Sequence, residues 1–130
     1  MSKLKVGIIG CGGIANNKHL PALKSQSDLC EIVAFCDTEV ERAAQMAKEY
    51  GTADAKVYSD YHELLADKSI DVVHVLTPNV AHAPITVAAF EAGKHVMCEK
   101  PMAHTSADAQ KMMRHFPLSV PHPPPGCAAR

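Results

Sequence analysis

The residues best placed to do chemistry lie where short apolar runs end. Gly10-Cys11-Gly12-Gly13-Ile14-Ala15 reads G-x-G-x-x-A and follows the run Lys5–Gly10. That spacing is a form of the dinucleotide fingerprint. Gly10 permits a tight turn, and Gly12 leaves bare main chain where a diphosphate can approach. Ala15 lets the following helix pack close to the strand, and the first amides of that helix point at the phosphates. Glycine-rich turns after strands are common, so the hexapeptide needs its context. Asp37 supplies it, 25 residues beyond Gly12 at the end of a second apolar run. A carboxylate there accepts hydrogen bonds from both ribose hydroxyls and repels a 2′-phosphate, so it favours NAD and leaves NADP as the second choice. Asp37 can also help cap the helix that begins after Thr38. Arg42 reads as a solvated charge rather than a 2′-phosphate ligand.

Other chemistries are poorly supplied. Cys11, Cys30, Cys36, Cys98 and Cys127 are widely spaced with no C-x-x-C pair, and the eight histidines show no ligand spacing. No metal site or disulfide framework is expected, and the cysteines read as small buried residues. Thirteen Lys and Arg balance fourteen Asp and Glu, which argues against a nucleic-acid partner. No apolar run approaches the ~18 residues of a membrane span, and the apolar stretch near the N-terminus is too short for a signal peptide. A cytoplasmic protein with no membrane contact is expected.

These residues need a scaffold, and the apolar runs provide it. Lys5–Gly10, Glu31–Asp37, Asp71–Leu76 and His95–Cys98 suit strands buried on both faces, with Lys56–Tyr58 a weaker candidate. Helical patterns alternate with them. Thr38 is expected to cap a helix with Ala43, Met46, Ala47 and Tyr50 inward and Gly51 as its stop. Ser59 is expected to cap a second, carrying Tyr61, Leu64 and Leu65. Pro84 suits the first turn of a third, with Ile85, Ala88, Ala89 and Ala92 inward and a stop at Gly93. Thr105 caps a fourth with Ala109, Met112, Met113 and Phe116. Pro21 predicts a kink or two pieces between Gly13 and Lys24. Strict alternation predicts an α/β fold: a Rossmann-like, doubly wound parallel sheet with helices on both faces, and ligands at the carboxyl ends of the strands.

Two further segments narrow the reading. Thr77-Pro78-Asn79, with His82 three residues on, follows the Asp71–Leu76 run, and Glu99-Lys100-Pro101 follows His95–Cys98. Together with Gly10–Ala15, His19–Leu23 and Gly93–Val96, they resemble the N-terminal domain of the Gfo/Idh/MocA oxidoreductases, over residues 3 to about 114. The resemblance implies hydride transfer between a nicotinamide and a hydroxyl-bearing carbon of a sugar, inositol or related compound. It implies that Lys100 is the catalytic lysine, that Glu99 orients Lys100 or the cofactor, and that Pro101 fixes the loop, often through a cis bond. Thr77, Pro78, Asn79 and His82 would line the nicotinamide side. The wider cofactor set is then Gly10, Cys11, Gly12, Gly13, Ile14, Asp37, Thr77, Pro78, Asn79, His82, Glu99 and Lys100. A lysine partly desolvated at a strand end can take the hydroxyl proton or steady alkoxide charge. His74 reads as a core histidine, and His19, Lys94 and His95 as structural or surface residues.

The resemblance also implies a C-terminal substrate domain, absent from this sequence, and a homo-oligomer in the complete protein. Residues 1–115 are expected to be the cofactor domain. From Phe116 the chain loses periodicity, with five of the nine prolines in the last fourteen residues; residues 116–130 read as a non-native end or a polyproline linker. The 130-residue chain is expected to bind cofactor without turnover, and to expose Met112, Met113 and Phe116. A stand-alone regulatory NAD-binding module is the main rival, since it needs no Lys100. A methyltransferase explains neither Thr77-Pro78-Asn79 nor Glu99-Lys100-Pro101.

Overall fold

A computed structural model of the chain describes residues 2–116. The proline-rich segment expected after Phe116 lies outside the described residues. All five apolar runs are strands: β1 (Leu4–Ile9), β2 (Cys30–Cys36), β3 (Lys56–Tyr58), β4 (Val72–Val75) and β5 (His95–Cys98). They form one parallel sheet in the order β3-β2-β1-β4-β5. β1 is central, and its side chains alternate between two cores. Val6 and Ile8 pack with Leu20, Phe35 and Met46 on one face. Ile9 packs with Leu64, Val73, Val75 and Ile85 on the other. Helices therefore cover both faces, as near-continuous apolar strands require. The chain order reverses direction at β1, so the carboxyl ends of β1 and β4 part and leave a crevice.

The helices are α1 (Leu20–Ser25), α2 (Val40–Tyr50), α3 (Tyr61–Leu65), α4 (Asn79–Glu91) and α5 (Ser106–His115). A π-helical turn, Ala15–His19, leads directly into α1. The Leu20 amide donates to the Ala15 carbonyl, five residues back. This wider turn accommodates Pro21, whose ring would otherwise press on the carbonyl four residues before it. The expected break is thus a change of hydrogen-bond register within one helical path.

Three expected helix starts are corrected. Thr38 does not cap α2; Glu39 is the N-cap residue and its amide donates to Asp37 Oδ1 at 2.8 Å. Ser59 does not cap α3; Asp60 does, accepting from the His62 amide at 2.9 Å. At α3 a carboxylate, the stronger acceptor, takes the place of the neighbouring hydroxyl, whereas α2 has no side-chain cap and Asp37 instead holds the amide of its N-cap residue. α4 begins at Asn79, so Pro84 lies in its second turn rather than its first. Ala92 is exposed and forms the C-cap instead of facing inward. Beyond it, Gly93 takes φ +75°. Its amide donates to Phe90 O and that of Lys94 to Ala89 O, both at 3.0 Å, the paired bonds of a Schellman ending.

Thr105 caps α5 as expected, accepting from the Asp108 amide at 3.1 Å. Met112 is buried against Ala83 and Val87, contrary to the expectation that it lacks partners. Met113 and Phe116 are exposed, as expected, and Met102 extends the apolar surface beside them.

Pro84 removes the amide that would bond the Val80 carbonyl. Val80 is 63% exposed, so water can serve that carbonyl. Interior proline costs a helix about 3 kcal/mol, and the stiffer unfolded chain returns about 0.4–1 kcal/mol. Pro84→Ala should raise unfolding stability by about 2–2.6 kcal/mol, read as a higher urea midpoint with an unchanged m-value.

Candidate functional site

The crevice at the carboxyl ends of β1, β2 and β4 is a cavity of about 540 Å³. Of the expected cofactor residues it gathers Gly10, Gly12, Gly13, Ile14, Asp37, Thr77 and Pro78. Its wall is completed by Arg42, Ser59 and Tyr61. None of these three is marked as a site residue by the sequence, where Tyr61 falls on the inward face of its helix and Arg42 reads as a solvated charge.

Gly10 is held by its surroundings. It has φ +98°, and a Cβ there would lie 2.7 Å from the Leu76 carbonyl carbon and 2.8 Å from the Thr77 nitrogen. No side chain fits, so glycine lets the first turn sit directly on the loop after β4. Gly12 is different. Its nearest neighbour to a built Cβ is the Arg42 guanidinium at 3.6 Å, an ordinary contact, and its φ is not in the left-handed region. Packing within the protein does not demand a glycine at this position. A ligand pressed against the main chain does.

Asp37 ties the site together. Its Oδ2 accepts from the Cys11 amide at 2.9 Å and its Oδ1 from the Glu39 amide at 2.8 Å. Arg42 Nε stands 3.8 Å from Oδ2, and Arg42 also pairs with Glu39 at 2.9 Å. An ionised carboxylate has about four acceptor positions, so holding the amides of Cys11 and of Glu39 at the entry of α2 leaves capacity for ribose hydroxyls. Both roles foreseen for Asp37 are therefore compatible in one geometry. Thr77 Oγ1 is buried at the same crevice with no hydrogen-bond partner. A buried hydroxyl in that state calls for an additional polar partner. The bare Gly12 backbone, the acceptor at Asp37 and the orphaned Thr77 hydroxyl fit a dinucleotide.

The remaining expected residues do not line this cavity. Cys11 is buried, and its thiol is pushed up to about 12, chiefly by burial and then by Asp37. It is a small buried residue, as read from sequence. Asn79 is exposed at the first position of α4. His82 is 1% exposed, with Nδ1 2.7 Å from the Pro101 carbonyl and Nε2 2.7 Å from the Thr77 carbonyl. It joins the two loops from beneath instead of facing the cavity. The Lys100–Pro101 peptide is cis, in keeping with the resemblance. Lys100 is exposed, and its amide donates to Glu99 Oε1 at 3.0 Å.

Glu99 has a second partner that sequence reasoning misses. Its Oε2 lies 2.6 Å from His19 Nε2, and His19 Nδ1 lies 3.1 Å from His74 Nδ1. The His19 bond, followed by the Lys100 amide, holds the Glu99 carboxyl below its ordinary range. His74 is drawn down to about 4, first by burial and then by the neighbouring His19. It is a hydrogen-bonded interior histidine, as expected. Lys94 is also structural: its Nζ donates to the Asp67 and Ile70 carbonyls at 2.6 and 2.9 Å. Among the described residues no cluster of three or more His, Cys, Asp or Glu is placed to hold a metal ion, and no helix is long and apolar enough to cross a membrane.

The sheet order and the glycine turn define a Rossmann dinucleotide-binding fold. The sequence profile of an oxidoreductase family with an NAD-binding Rossmann fold matches residues 4–117. The chain belongs to this Gfo/Idh/MocA family. It is 44% identical over 110 residues to inositol 2-dehydrogenase of Salmonella typhimurium, covering 85% of this chain and 32% of that protein. It is 42% identical over 111 residues to D-glucoside 3-dehydrogenase of Escherichia coli, covering 85% and 31%. Among solved structures it resembles a 3-ketoreductase from Actinomadura kijaniata in complex with NADP and TDP-benzene. That match has a TM-score of 0.79 at 32% identity, over 88% of this chain and 34% of the other. The WlbA dehydrogenase of Chromobacterium violaceum, in complex with NADH and UDP-GlcNAcA, gives 0.80 at 32% identity, over 87% and 32%. The chain thus spans about a third of the length of these relatives.

His74 makes stability depend on pH. Its folded value of about 4 lies below an unfolded value of about 6.5. Between the two, the unfolded chain binds a proton that the folded chain does not, so stability falls as pH falls from about 6.5 toward 4 and is complete above that window. Urea melts at pH 7.5 and 4.5 should differ by up to about 3 kcal/mol from this group, and the difference should shrink by that amount in His74→Leu.

Proposed function

We propose that this chain is the cofactor-binding part of an NAD-dependent oxidoreductase acting on a hydroxyl-bearing carbon of a sugar, inositol or related polyol. The observation that carries the reading is Asp37, a carboxylate at the cavity wall that is fixed by two main-chain amides and still has acceptor capacity. The names of the relatives, dehydrogenases of inositol and of glucosides, support the substrate class. In this reading the main chain of Gly10–Ile14 faces the diphosphate. Asp37 takes the adenosine ribose and disfavours a 2′-phosphate. Thr77, Pro78 and Asn79 border the nicotinamide, with His82 holding their loop from below. When bound, the cofactor supplies the acceptor or donor of the hydride.

Lys100 handles the proton. Its ammonium steadies developing negative charge on the substrate oxygen, and its amine accepts the hydroxyl proton in the oxidising direction. Glu99 holds the main chain at Lys100. The substrate's own contacts, and the subunit interface of a homo-oligomer, belong to the two-thirds of the relatives' length that this chain does not match. Residues 4–117, which match the family, supply the cofactor side of this reading, and orientation of the reacting carbon needs a second wall. Four thiols without disulfides among the described residues suit a cytoplasmic setting.

Calorimetric titration with NAD tests the binding half of this reading, and no heat at millimolar NAD would sink it. Gly12→Val should abolish binding while leaving the fold intact, because its side chain would enter the cavity. Asp37→Asn should weaken NAD by about 10- to 150-fold, as loss of a charged hydrogen bond worth about 1.5–3 kcal/mol implies, and narrow the preference over NADP. In a protein completed with a substrate domain, Lys100→Ala should remove turnover and retain NAD affinity. Unchanged turnover would favour a regulatory nucleotide-binding module.

A further inference from the structure

Lys100 sits on an exposed loop, and an exposed lysine has many rotamers and a mobile backbone. Something must hold that loop if the amine is to meet a substrate oxygen in a reproducible place. The structure offers a chain of contacts for this. The Lys100 amide donates to Glu99 Oε1, and Glu99 Oε2 faces His19 Nε2 at 2.6 Å. His19 is the last residue of the π-helical turn that follows the glycine loop. Its other nitrogen meets His74 on β4. From this network we infer that His19 is a positioning residue for Lys100, clamping Glu99 so that the helix after the phosphate loop fixes the main chain carrying the lysine. The inference rests on the proposed role of Lys100 and adds His19 and its turn to that site.

The hydrogen-bond roles come from donor counting. Glu99 as a carboxylate only accepts, so His19 Nε2 donates. If His19 is neutral, its Nδ1 is bare and His74 Nδ1 donates to it. If His19 is protonated, its Nδ1 donates and His74 accepts. His74 can meet either state by changing tautomer, so the bond to Glu99 survives in both. His74 therefore works as an adaptable backstop, and Nε2 of His19 is the atom that matters for the loop. The π turn is the second feature pointing the same way. Inserting one residue into a helical turn rotates the later side chains by about 100°, and such turns are frequent at functional sites. An α-helical path from Gly12 would carry position 19 to a different face.

Side-chain lengths make the inference testable. A glutamine amide nitrogen reaches about as far as His Nε2, and an asparagine nitrogen about as far as Nδ1. His19→Gln can still donate to Glu99, whereas His19→Asn can contact only His74. The experiment uses the full 130-residue chain, with amide hydrogen exchange at Lys100 and the 15N shift of the His19 ring read by NMR. In the unaltered protein Nε2 should show as the protonated nitrogen. His19→Asn and His19→Ala should speed exchange at the Lys100 amide at least tenfold, and His19→Gln should return it to within about threefold. Exchange at Ile8 in the central strand reports whether each variant is folded. If a position-19 variant fails to fold, Glu99→Ala must move the His19 Nε2 resonance with Ile8 exchange unchanged, and an unmoved ring overturns the inference.

Slow exchange at Lys100 in folded His19→Asn, or a His19 ring protonated only at Nδ1, would overturn the inference. The result stays separable from the proposed function. Lys100→Ala in a completed enzyme tests the lysine, and loss of turnover there alongside unaltered Lys100 exchange in His19→Asn would remove His19 alone from the site.

Discussion

The site depends on one close approach of main chain to main chain. At Gly10 the end of β1 lies against the Leu76–Thr77 peptide with no room for a Cβ. The Gly10 amide donates to the Cys36 carbonyl at 2.8 Å, and the Leu76 amide to the Ile9 carbonyl at 2.8 Å. Three strand ends are thereby drawn into one place. Asp37, Thr77 and the glycine loop each extend by only a residue or two from that junction, so little chain is free to wander. A side chain at Gly10 would push the loop after β4 away and open every distance across the crevice.

Charge then organises the groups that the backbone has gathered. Two carboxylates each bridge two elements. Asp37 joins the glycine turn to the entry of α2, and Glu99 joins the first helix to the main chain at Lys100. Acceptors with several lone pairs suit this work, because they can satisfy main-chain donors and retain capacity. His82 plays the converse part, with both ring nitrogens against carbonyls of two loops. The loops that border the cavity are in this way fastened by groups that need not face a ligand themselves.

Much of this was legible in the sequence. The strands were plain because both faces of a central parallel strand are buried, and runs such as Val72–Val75 have little polar interruption. The glycine spacing and Asp37 were local signals, read from a few residues. Helix starts were less legible. Thr38 lies beside Asp37, and Ser59 beside Asp60, and local sequence does not say which oxygen reaches the amide first. Pro84 looked like a first-turn residue because exposure of Val80, which makes an interior proline tolerable, is a tertiary property. The π turn and the His19–Glu99 contact were hidden. One is a shift of a single hydrogen bond, and the other joins residues 80 positions apart. The clue available was that His19 falls in the segment His19–Leu23, which already resembled the family.

β5 has a neighbour on one side only, so its outer amides and carbonyls have no ladder partner within the described residues. Met97, on this strand, is 53% exposed. An unpaired strand edge carrying an exposed thioether is adhesive, and a formal charge of −1 gives little repulsion to keep copies apart. Handling of the isolated polypeptide is therefore governed by how crowded the solution is. Dilution and a pH well away from neutrality in charge terms would preserve dispersed molecules better than cooling, since cold weakens the burial that keeps the rest of the fold shut.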